Sequence, residues 1–234
     1  MKTWRTRNNI TIKTLLKGGT NVYLVTKGDM NIIVDSARAH RYKKLKHVIS
    51  DSLSGKNPDF LFLTHSHYDH VENACRLKED FSLKIIIDER EAKFLSEGKT
   101  PLPEGTNGVA RMIVWLGNNL TKIDRYRGVK CDVCFDDIYE IKTRDDDIRM
   151  LRTPGHSPGS ASLILDQEIA LVGDTLFGIF RRSVFPPFAS DVREMIQSWK
   201  KLLDTGCEIF LPGHGRAISR ERLEREYGRR AEEE

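Results

Sequence analysis

The sequence predicts a single α/β domain over residues 1–234, and three observations support this prediction. Short apolar runs that are typical of strands alternate with segments whose apolar residues recur at helical spacing. This order of strands and helices occurs twice, which indicates two similar halves. The hydrophobic content of 39% and the charged content of 31% are those of an ordinary soluble globular protein with a sizeable core.

The first half begins with strands. NITIKTLLK, TNVYLVTK and MNIIVD are short runs separated by Gly18-Gly19 and Gly28-Asp29, as in a β-meander. The pattern then predicts a helix, a buried strand, a second helix and a further strand at residues 36–53, 59–65, 69–81 and 82–88.

Residues 98–135 interrupt this pattern. A loop, an apolar helix around VARMIVWLGNNL and a polar stretch predict an insertion of helix and loop across one face, where loops usually carry specificity. An amphipathic helix at residues 190–206, with Gly206 at its end, precedes a last strand at 208–215, and the terminal RRAEEE predicts a frayed tail. Between the insertion and that helix, short strands are predicted at residues 136–142, 147–153, 160–166 and 168–174.

Composition limits the location and the partners. No apolar run reaches the roughly 18 residues of a membrane span, and the first residues lack the apolar stretch of a secretory signal, so we expect a cytoplasmic protein. The net charge of +4 is nearly balanced, and HRYKKLKH is typical of a solvated helix face, so nucleic acid is not the expected partner. We expect a small-molecule substrate and no membrane, and a homo-oligomer is left open.

The four cysteines do not indicate a disulfide framework in a cytoplasmic chain. Cys131 and Cys134 have thiol-pair spacing, but a structural zinc site would need a second pair, and Cys75 and Cys207 are isolated. We interpret Cys131 and Cys134 as ordinary thiols, with a redox-sensitive pair as the alternative.

The segment THSHYDH concentrates three of the seven histidines and an aspartate. His65 and His67 would project to nearly opposite sides of a helix, but they share one face at the end of an extended strand, which the preceding LFL supplies. Asp69 and His70 open the following helix and therefore point elsewhere. Ligands in two directions favour two adjacent metal ions over one. The alternative is a set of scattered histidines in a surface loop.

Three later loops carry further candidates, and each follows a predicted strand. His156 lies in RTPGHSPGS, Asp174 in LVGDTLF and His214 in LPGHGRA. Taken alone, Asp174 would be explained as a turn-forming residue, but beside the histidines it becomes a candidate ligand. Neighbouring glycines allow tight turns that bring the backbone close to a site.

The motifs THSHYDH, TPGHSPGS, VGDTLF and LPGHG, in this order, resemble the successive signature motifs of the metallo-β-lactamase superfamily. IIVDS, which contains Asp35, resembles the motif that precedes them, and the match spans roughly residues 15–216. The resemblance implies a four-layer αββα sandwich, in which two β-sheets lie face to face with helices outside and the site lies at one edge.

The same resemblance implies two divalent metal ions, with zinc favoured by imidazole and carboxylate ligands and iron or manganese as alternatives. Asp174 would bridge the ions, and Asp35 would fix a ligand loop by hydrogen bonding. The remaining ligands would be His65, His67 and His156 for one ion, and Asp69, His70 and His214 for the other.

Two ions about 3.5 to 4 Å apart can share a hydroxide that acts as a nucleophile at neutral pH. Asp69 would orient this hydroxide as the main catalytic residue. We therefore predict a metal-dependent hydrolase that cleaves an ester, thioester, lactone or phosphodiester bond. The alternatives are a mononuclear iron oxidoreductase of the persulfide dioxygenase kind and a non-catalytic metal-binding protein.

Two activities of the family are disfavoured. Lactam-cleaving members lack an aspartate at the position of Asp174, and glyoxalase II carries a helical C-terminal domain for which the residues after His214 leave no room.

The segment TLFGIFRRSVFPPF, which follows Asp174, contains the candidates for substrate binding. We expect an apolar pocket with an anion-binding rim. The alternative is that the phenylalanines belong to the core and the arginines are solvated. The candidate residues are Phe177, Phe180, Arg181, Arg182 and Phe185.

Overall fold

The computed structural model describes residues 2–101, 103–106, 108, 125–141 and 148–231, and within these ranges the strands form two sheets. The first sheet runs in chain order from β1 to β7: Thr3–Arg5, Thr11–Leu16, Val22–Lys27, Met30–Val34, Phe60–Phe62, Lys84–Asp88 and Val133–Phe135. The second sheet runs in the reverse order from β13 to β8. In chain order its strands β8 to β13 are Ile138–Ile141, Ile148–Arg152, Ala161–Leu165, Ile169–Gly173, Ile209–Pro212 and Ile218–Ser219.

Helices connect and flank these strands. Two of the connecting helices, Glu89–Glu97 and Val192–Asp204, begin at aspartate N-caps: Asp88 accepts a hydrogen bond from Arg90 N, and Asp191 from Glu194 N. The helices α1 to α6 are Tyr42–Ser52, Tyr68–Val71, Ala74–Phe81, Glu89–Glu97, Val192–Asp204 and Arg220–Ala231, and a short 3-10 helix at Ala39–Arg41 precedes α1.

The direction of the strands decides where the site lies. In the first sheet, β1 to β4 form an antiparallel meander, whereas β4, β5 and β6 are parallel. In the second sheet, β9 and β11 are both antiparallel to β10, and β12 is parallel to β11. The carboxyl ends of β9, β11 and β12 therefore meet at one edge of their sheet, as the ends of β4 and β5 do in the other.

Alternating side chains on the strands build the central core. Val25 and Ile32 face the second sheet, whereas their neighbours Leu24 and Ile33 face helices on the outside. Because successive side chains of a strand point to opposite faces, strands that are apolar throughout indicate a sheet that is covered on both faces. The interior between the two sheets also contains Phe62, Met150, Leu163, Leu171 and Leu211.

Each outer face is covered by helices. Leu45 of α1, Leu77 of α3 and Leu95 of α4 pack on the first sheet. Trp199 of α5 and Leu223 of α6 pack on the second. The layers are therefore helix, sheet, sheet and helix, which confirms the predicted αββα sandwich.

Several elements differ from the predictions. The helix predicted at residues 69–81 is divided into α2 and α3 at Asn73, whose side-chain amide donates to the carbonyl oxygens of Ser36, Ala37 and Arg38. The short strands β1, β7 and β13 were not predicted, because two or three residues carry too little periodicity. The prediction of a frayed tail is wrong for residues 229–231, which belong to α6.

The cysteines also differ from the favoured prediction. Cys131 and Cys134 form a disulfide and are therefore not ordinary thiols. Their Cα atoms lie 6.1 Å apart, within the range that a disulfide spans. Cys75 and Cys207 are free and buried.

Of the predicted insertion at residues 98–135, residues 102, 107 and 109–124 lie outside the described residues, and these include its apolar helix. Its last residues, Val133–Phe135, form β7 of the first sheet. The single-domain organisation stays a prediction. Among the described helices, none is long and apolar enough to cross a membrane.

Candidate metal centre

The loop between β5 and α2 directs two histidines to one side. His65 and His67 lie in this extended stretch, and their ring centroids are 4.5 Å apart. Each ring centroid also lies 4.8 Å from that of His156, and His67 Nδ1 is 2.9 Å from His156 Nε2. All three side chains are buried. The structure thus places His65 and His67 on one side, as the alternation of an extended chain predicts, and it adds His156 to them, as the resemblance implies.

The first turn of α2 directs the next two side chains to another position. His70 Nε2 lies 3.6 Å from Asp69 Oδ2, and His214 Nε2 lies 3.1 Å from the same oxygen. His70 is fully buried, whereas Asp69 and His214 are partly exposed. A second group of three ligands therefore forms beside the first.

The second sheet supplies the remaining candidates from the ends of parallel strands. Asp174 directly follows β11, and His214 lies two residues beyond β12, which pairs with β11. The backbone of this last loop approaches closely at Gly213, where a Cβ atom would lie 2.5 Å from Asp174 Oδ1 and 2.6 Å from His70 Cε1. Only glycine leaves room for this approach.

Asp174 lies between the two groups of histidines. Its Oδ1 is 3.6 Å from His70 Nε2, and its Oδ2 is 3.8 Å from His156 Nε2 and 3.4 Å from His214 Nε2. Ligand atoms that lie within 4.8 Å of one another occur in three overlapping groups: His65, His67 and His156; His65, His70 and Asp174; and Asp69, His70 and His214.

The donor atoms of this cluster suit a metal ion. His65 Nε2, His70 Nε2 and Asp174 Oδ1 are buried without a hydrogen-bond partner in the described part of the chain. A buried polar atom without a partner is costly unless it binds something, and imidazole and carboxylate groups are common ligands of divalent metals. The residues present therefore fit divalent cations.

Hydrogen bonds at the other ring nitrogen orient these histidines. His70 Nδ1 lies 2.8 Å from Asp35 Oδ2, and His156 Nδ1 lies 2.8 Å from the carbonyl oxygen of Phe188. A carbonyl oxygen can only accept, so His156 Nδ1 carries the proton and Nε2 is left free for a metal. Asp35 has a left-handed backbone with φ of 61°. Its other oxygen accepts from Thr64 N at 2.9 Å, so it joins the loops after β4 and β5.

Burial dominates the electrostatics of the first group. Burial lowers the pKa of His65 well below its usual value, and the neighbouring histidines lower it further. For His67 the same causes lower the pKa to about 3. Burial also lowers the pKa of His156, although Asp174 opposes this shift. These imidazoles are therefore neutral at pH 7.

Carboxylates dominate the second group. Burial acts to lower the pKa of His70, but Asp35, Asp69 and Asp174 outweigh it and raise the pKa well above its usual value. The pKa of His214 is also raised, because Asp174 and Asp69 outweigh burial. Burial acts to raise the pKa of Asp174, but His214 and His70 lower it to about 2, and the pKa of Asp69 is lowered by the same two histidines.

A cavity of about 190 Å³ opens beside the cluster. Tyr68, Pro103, Phe177 and Phe188 line it together with the ligand candidates. The ring centroid of Phe177 lies 5.1 Å from that of His214. Since ligand cavities combine apolar walls with a few polar groups, this cavity is suited to a small molecule.

The predicted substrate-binding residues have different positions. Phe177 is at the cavity, and Phe180, which is 46% exposed, lies 5.9 Å from it between ring centroids. Arg181 and Arg182 are exposed. Phe185 is not at the cavity, because it packs against Trp199 in the outer core.

Sequence reasoning did not identify several residues that contact the cluster. Thr20 Oγ1 donates to Asp69 Oδ2 at 2.7 Å, and Thr64 Oγ1 lies 3.0 Å from His65 Nδ1. Glu91 of α4 is buried beneath the His65–His67 loop. A threonine in a turn or a glutamate on a helix has an ordinary solvent-facing explanation, so no sequence signal distinguishes them.

Comparison with known proteins identifies the family. A family model described as the metallo-beta-lactamase superfamily matches residues 15–214. The chain belongs to the metallo-β-lactamase superfamily. The matched stretch begins in β2 and ends at His214, so it contains all seven candidate ligands. The His and Asp groups that could hold metal ions all lie within the residues that the family model matches.

Individual members of the superfamily show the degree of similarity. The chain is 26% identical to the beta-lactamase-like protein 2 homolog of Drosophila melanogaster over 204 residues, which are 86% of this chain and 60% of that protein. It therefore spans less than two thirds of the length of this relative. It is 34% identical to the hydroxyacylglutathione hydrolase GloC of Haemophilus influenzae over 164 residues, 68% of this chain and 69% of the hydrolase.

Solved structures share the fold. The crystal structure of BJP-1, a subclass B3 metallo-beta-lactamase of Bradyrhizobium japonicum, superposes with a TM-score of 0.70 and covers 100% of this chain and 92% of its own. The two sequences are 18% identical, so this likeness concerns the fold alone.

Proposed function

We propose that this protein is a hydrolase that binds two divalent ions, zinc first, and cleaves an ester-type bond of a small molecule, with thioesters as the leading substrate class. One observation carries the proposal: two groups of three ligand atoms lie on either side of Asp174. His65, His67 and His156 would hold one ion, and Asp69, His70 and His214 the other, with Asp174 shared.

Divalent ions at these ligands would lower the pKa of a water molecule towards neutrality and polarise the bond under attack. The chain's own residues supply orientation. Thr20 holds Asp69 Oδ2 by a hydrogen bond of 2.7 Å, so the carboxylate is fixed where it can accept a proton or a hydrogen bond from the attacking water. Phe177 and Phe188 give the cavity apolar walls that suit an acyl group.

The names of two relatives support an acyl substrate. The relative from Haemophilus influenzae is named a hydrolase of hydroxyacylglutathione, which is a thioester. An atrochrysone carboxyl ACP thioesterase of Aspergillus fumigatus is 25% identical over 202 residues. The 164 aligned residues are 69% of the Haemophilus hydrolase, which is therefore about as long as this chain. A thioester substrate therefore does not require a chain longer than this one.

The test combines metal content with turnover. Protein purified without added metal is analysed for zinc, manganese and iron, and then assayed with a thioester, a lactone, a phosphodiester and a persulfide. We expect about two zinc or manganese ions per chain and hydrolysis of the thioester. One iron per chain with oxygen uptake on the persulfide would overturn the proposal in favour of the oxidoreductase.

A pair of histidine variants controls this test. His67→Ala removes a buried ligand candidate, whereas His47→Ala removes an exposed histidine of α1. We expect hydrolysis to be lost in the first variant and unchanged in the second, with both proteins folded by circular dichroism. Full turnover by His67→Ala would show that the site is wrongly assigned.

A further inference from the structure

A buried carboxylate outside the cluster joins two of its loops. Glu91 of α4 is fully buried. Its Oε2 accepts hydrogen bonds from Ser66 N, at 3.0 Å, and from Ser66 Oγ. Its Oε1 accepts from Gly159 N at 2.9 Å and from Ser157 Oγ at 2.8 Å. Each oxygen therefore receives one backbone N–H and one hydroxyl group.

The four donors belong to the segments that carry the first group of histidines. Ser66 lies between His65 and His67, and Ser157 directly follows His156. The first segment follows a strand of one sheet, and the second follows a strand of the other. Glu91 is thus a single side chain that holds the two segments at a defined separation, next to the 2.9 Å approach of His67 Nδ1 and His156 Nε2.

We propose that Glu91 is a positioning residue for one of the two ions, the one that His65, His67 and His156 would hold. The inference rests on the two-ion centre of the proposed function. Groups that orient metal ligands from behind typically contribute about 10- to 100-fold to metal affinity. Loss of Glu91 should therefore weaken the binding of one ion and leave the binding of the other unchanged.

The chemistry of the contact explains why a carboxylate is needed. Both oxygens face a backbone N–H, and a backbone N–H cannot turn round to accept. In Glu91→Gln, the amide NH₂ would face either Ser66 N or Gly159 N. Two buried N–H donors would then point at each other without an acceptor. Buried donors without an acceptor are costly, so the two loops would separate.

The partner loop is shaped for the same contact. A Cβ atom at Gly159 would lie 2.7 Å from Glu91 Cγ and 2.8 Å from Asp88 Oδ1. Gly159→Ala would therefore push the His156 loop away from Glu91 without changing the carboxylate. It is an independent way of breaking the same link.

The second group of ligands is held by different residues. His70 is oriented by Asp35, and Asp69 by Thr20. Thr20 also pairs with His214 in a short antiparallel bridge. None of these contacts passes through Glu91, so the second ion should not respond to its loss.

The experiment measures the stepwise affinities of the two zinc ions by competition with a chromophoric chelator. Wild type is compared with Glu91→Gln, Gly159→Ala and the milder Ser157→Ala, which removes one hydroxyl donor. Glu89→Gln, the same chemical change at an exposed position of α4, is the matched control. We expect one affinity to fall by about 10- to 100-fold in Glu91→Gln and Gly159→Ala, and less in Ser157→Ala. The second affinity and both affinities of Glu89→Gln should equal those of wild type.

A double variant identifies the affected ion. In a His67→Ala background the first ion is already lost, so adding Glu91→Gln should leave the affinity for the second ion unchanged. The inference would be overturned if Glu91→Gln and Gly159→Ala lowered the affinities for both ions equally, or if both variants bound the two ions as wild type does. Should wild type itself bind fewer than two ions, the proposed function would fail instead, and the two failures are distinguishable. If Glu91→Gln does not fold, Ser157→Ala still decides, because unaltered binding of both ions by that variant contradicts the inference.

Discussion

The two halves of the candidate metal centre contain the same kind of side chain in opposite electrostatic conditions. His65 and His67 are surrounded by other imidazoles and apolar interior, and burial holds their pKa values low. His70 and His214 face Asp69 and Asp174, which outweigh burial and raise their pKa values. A cation at the second half therefore competes with protons more strongly than a cation at the first half.

This difference shows that residue type alone does not determine how a ligand behaves. In the first half three neutral imidazoles would meet the cation, so affinity depends on the positions of loops. In the second half the carboxylates attract the cation, but they also raise the pKa values of the histidines. Affinity for the cation therefore depends on pH as well. Asp174 lies between the halves and contacts histidines of both.

The largest effect is expected for Asp174→Asn, because this residue joins the halves. The variant keeps the size of the side chain but removes a charge that both groups of histidines face. We expect kcat/KM to fall by at least about a hundredfold, the upper end of the loss found for residues that only support metal ligands. The measurement is turnover together with metal content. Turnover within tenfold of wild type would mean that Asp174 is not shared.

Proton release during metal binding sharpens the comparison. In the metal-free protein the pKa values of His70 and His214 are raised by Asp69 and Asp174, whereas burial lowers the pKa of His67 to about 3. Binding needs neutral imidazole, so filling the second half should release more protons than filling the first, and its affinity should rise more steeply as pH increases. Calorimetric titration in buffers of different ionisation enthalpy measures this release.

The first half should show little proton release in the same titration. Two binding steps with the same dependence on pH would contradict the assignment of the lowered and raised pKa values to different halves.

Asp35→Asn is expected to affect the second half selectively. Asp35 lies 2.8 Å from His70 Nδ1, and asparagine tolerates the left-handed backbone at this position. We expect the affinity for the second ion to fall by about 10- to 100-fold, with a smaller change for the first. Chelator competition measures both affinities. A larger loss at the first ion would show that Asp35 acts mainly through Thr64 and the loop that follows it.

The smallest effect concerns the cavity. Phe177→Ala should raise KM about fivefold without changing metal content, because about 1 kcal/mol of apolar contact with the substrate is lost. Phe185→Ala is the matched control, since Phe185 packs against Trp199 and should lower thermal stability but leave KM unchanged. If Phe185→Ala raised KM and Phe177→Ala only lowered thermal stability, Phe185 and not Phe177 would be the residue that contacts the substrate.

Much of the fold could be predicted because local periodicity was strong. Apolar strands, covered on both faces, and the amphipathic helix α5 were recognisable from residue spacing. Helix α6 has a mostly charged sequence with few apolar positions, so its periodicity was weak and it was not predicted. The disulfide between Cys131 and Cys134 agrees with the alternative of a redox-sensitive pair and not with the favoured prediction, because spacing does not show whether two thiols meet in bonding geometry.

The candidate ligands could be named from the sequence because they follow strand ends in short glycine-rich motifs. The segment THSHYDH predicts the directions of its own side chains, because an extended stretch is followed directly by a helix. The residues that orient the ligands could not be named in this way. Thr20 and Glu91 are far from the histidines along the chain, and each has an ordinary explanation as a turn or helix residue.

The sequence by itself predicted the α/β class, because local periodicity carries it, and the resemblance of its motifs implied the family and the seven candidate ligands. Tertiary structure decided which of these groups meet, in which direction their pKa values shift and which residues support them. The physical reason is that pKa values and loop positions depend on burial and on contacts between the two sheets. Glu91, which hydrogen-bonds both the His65–His67 loop and the His156 loop, is the clearest case.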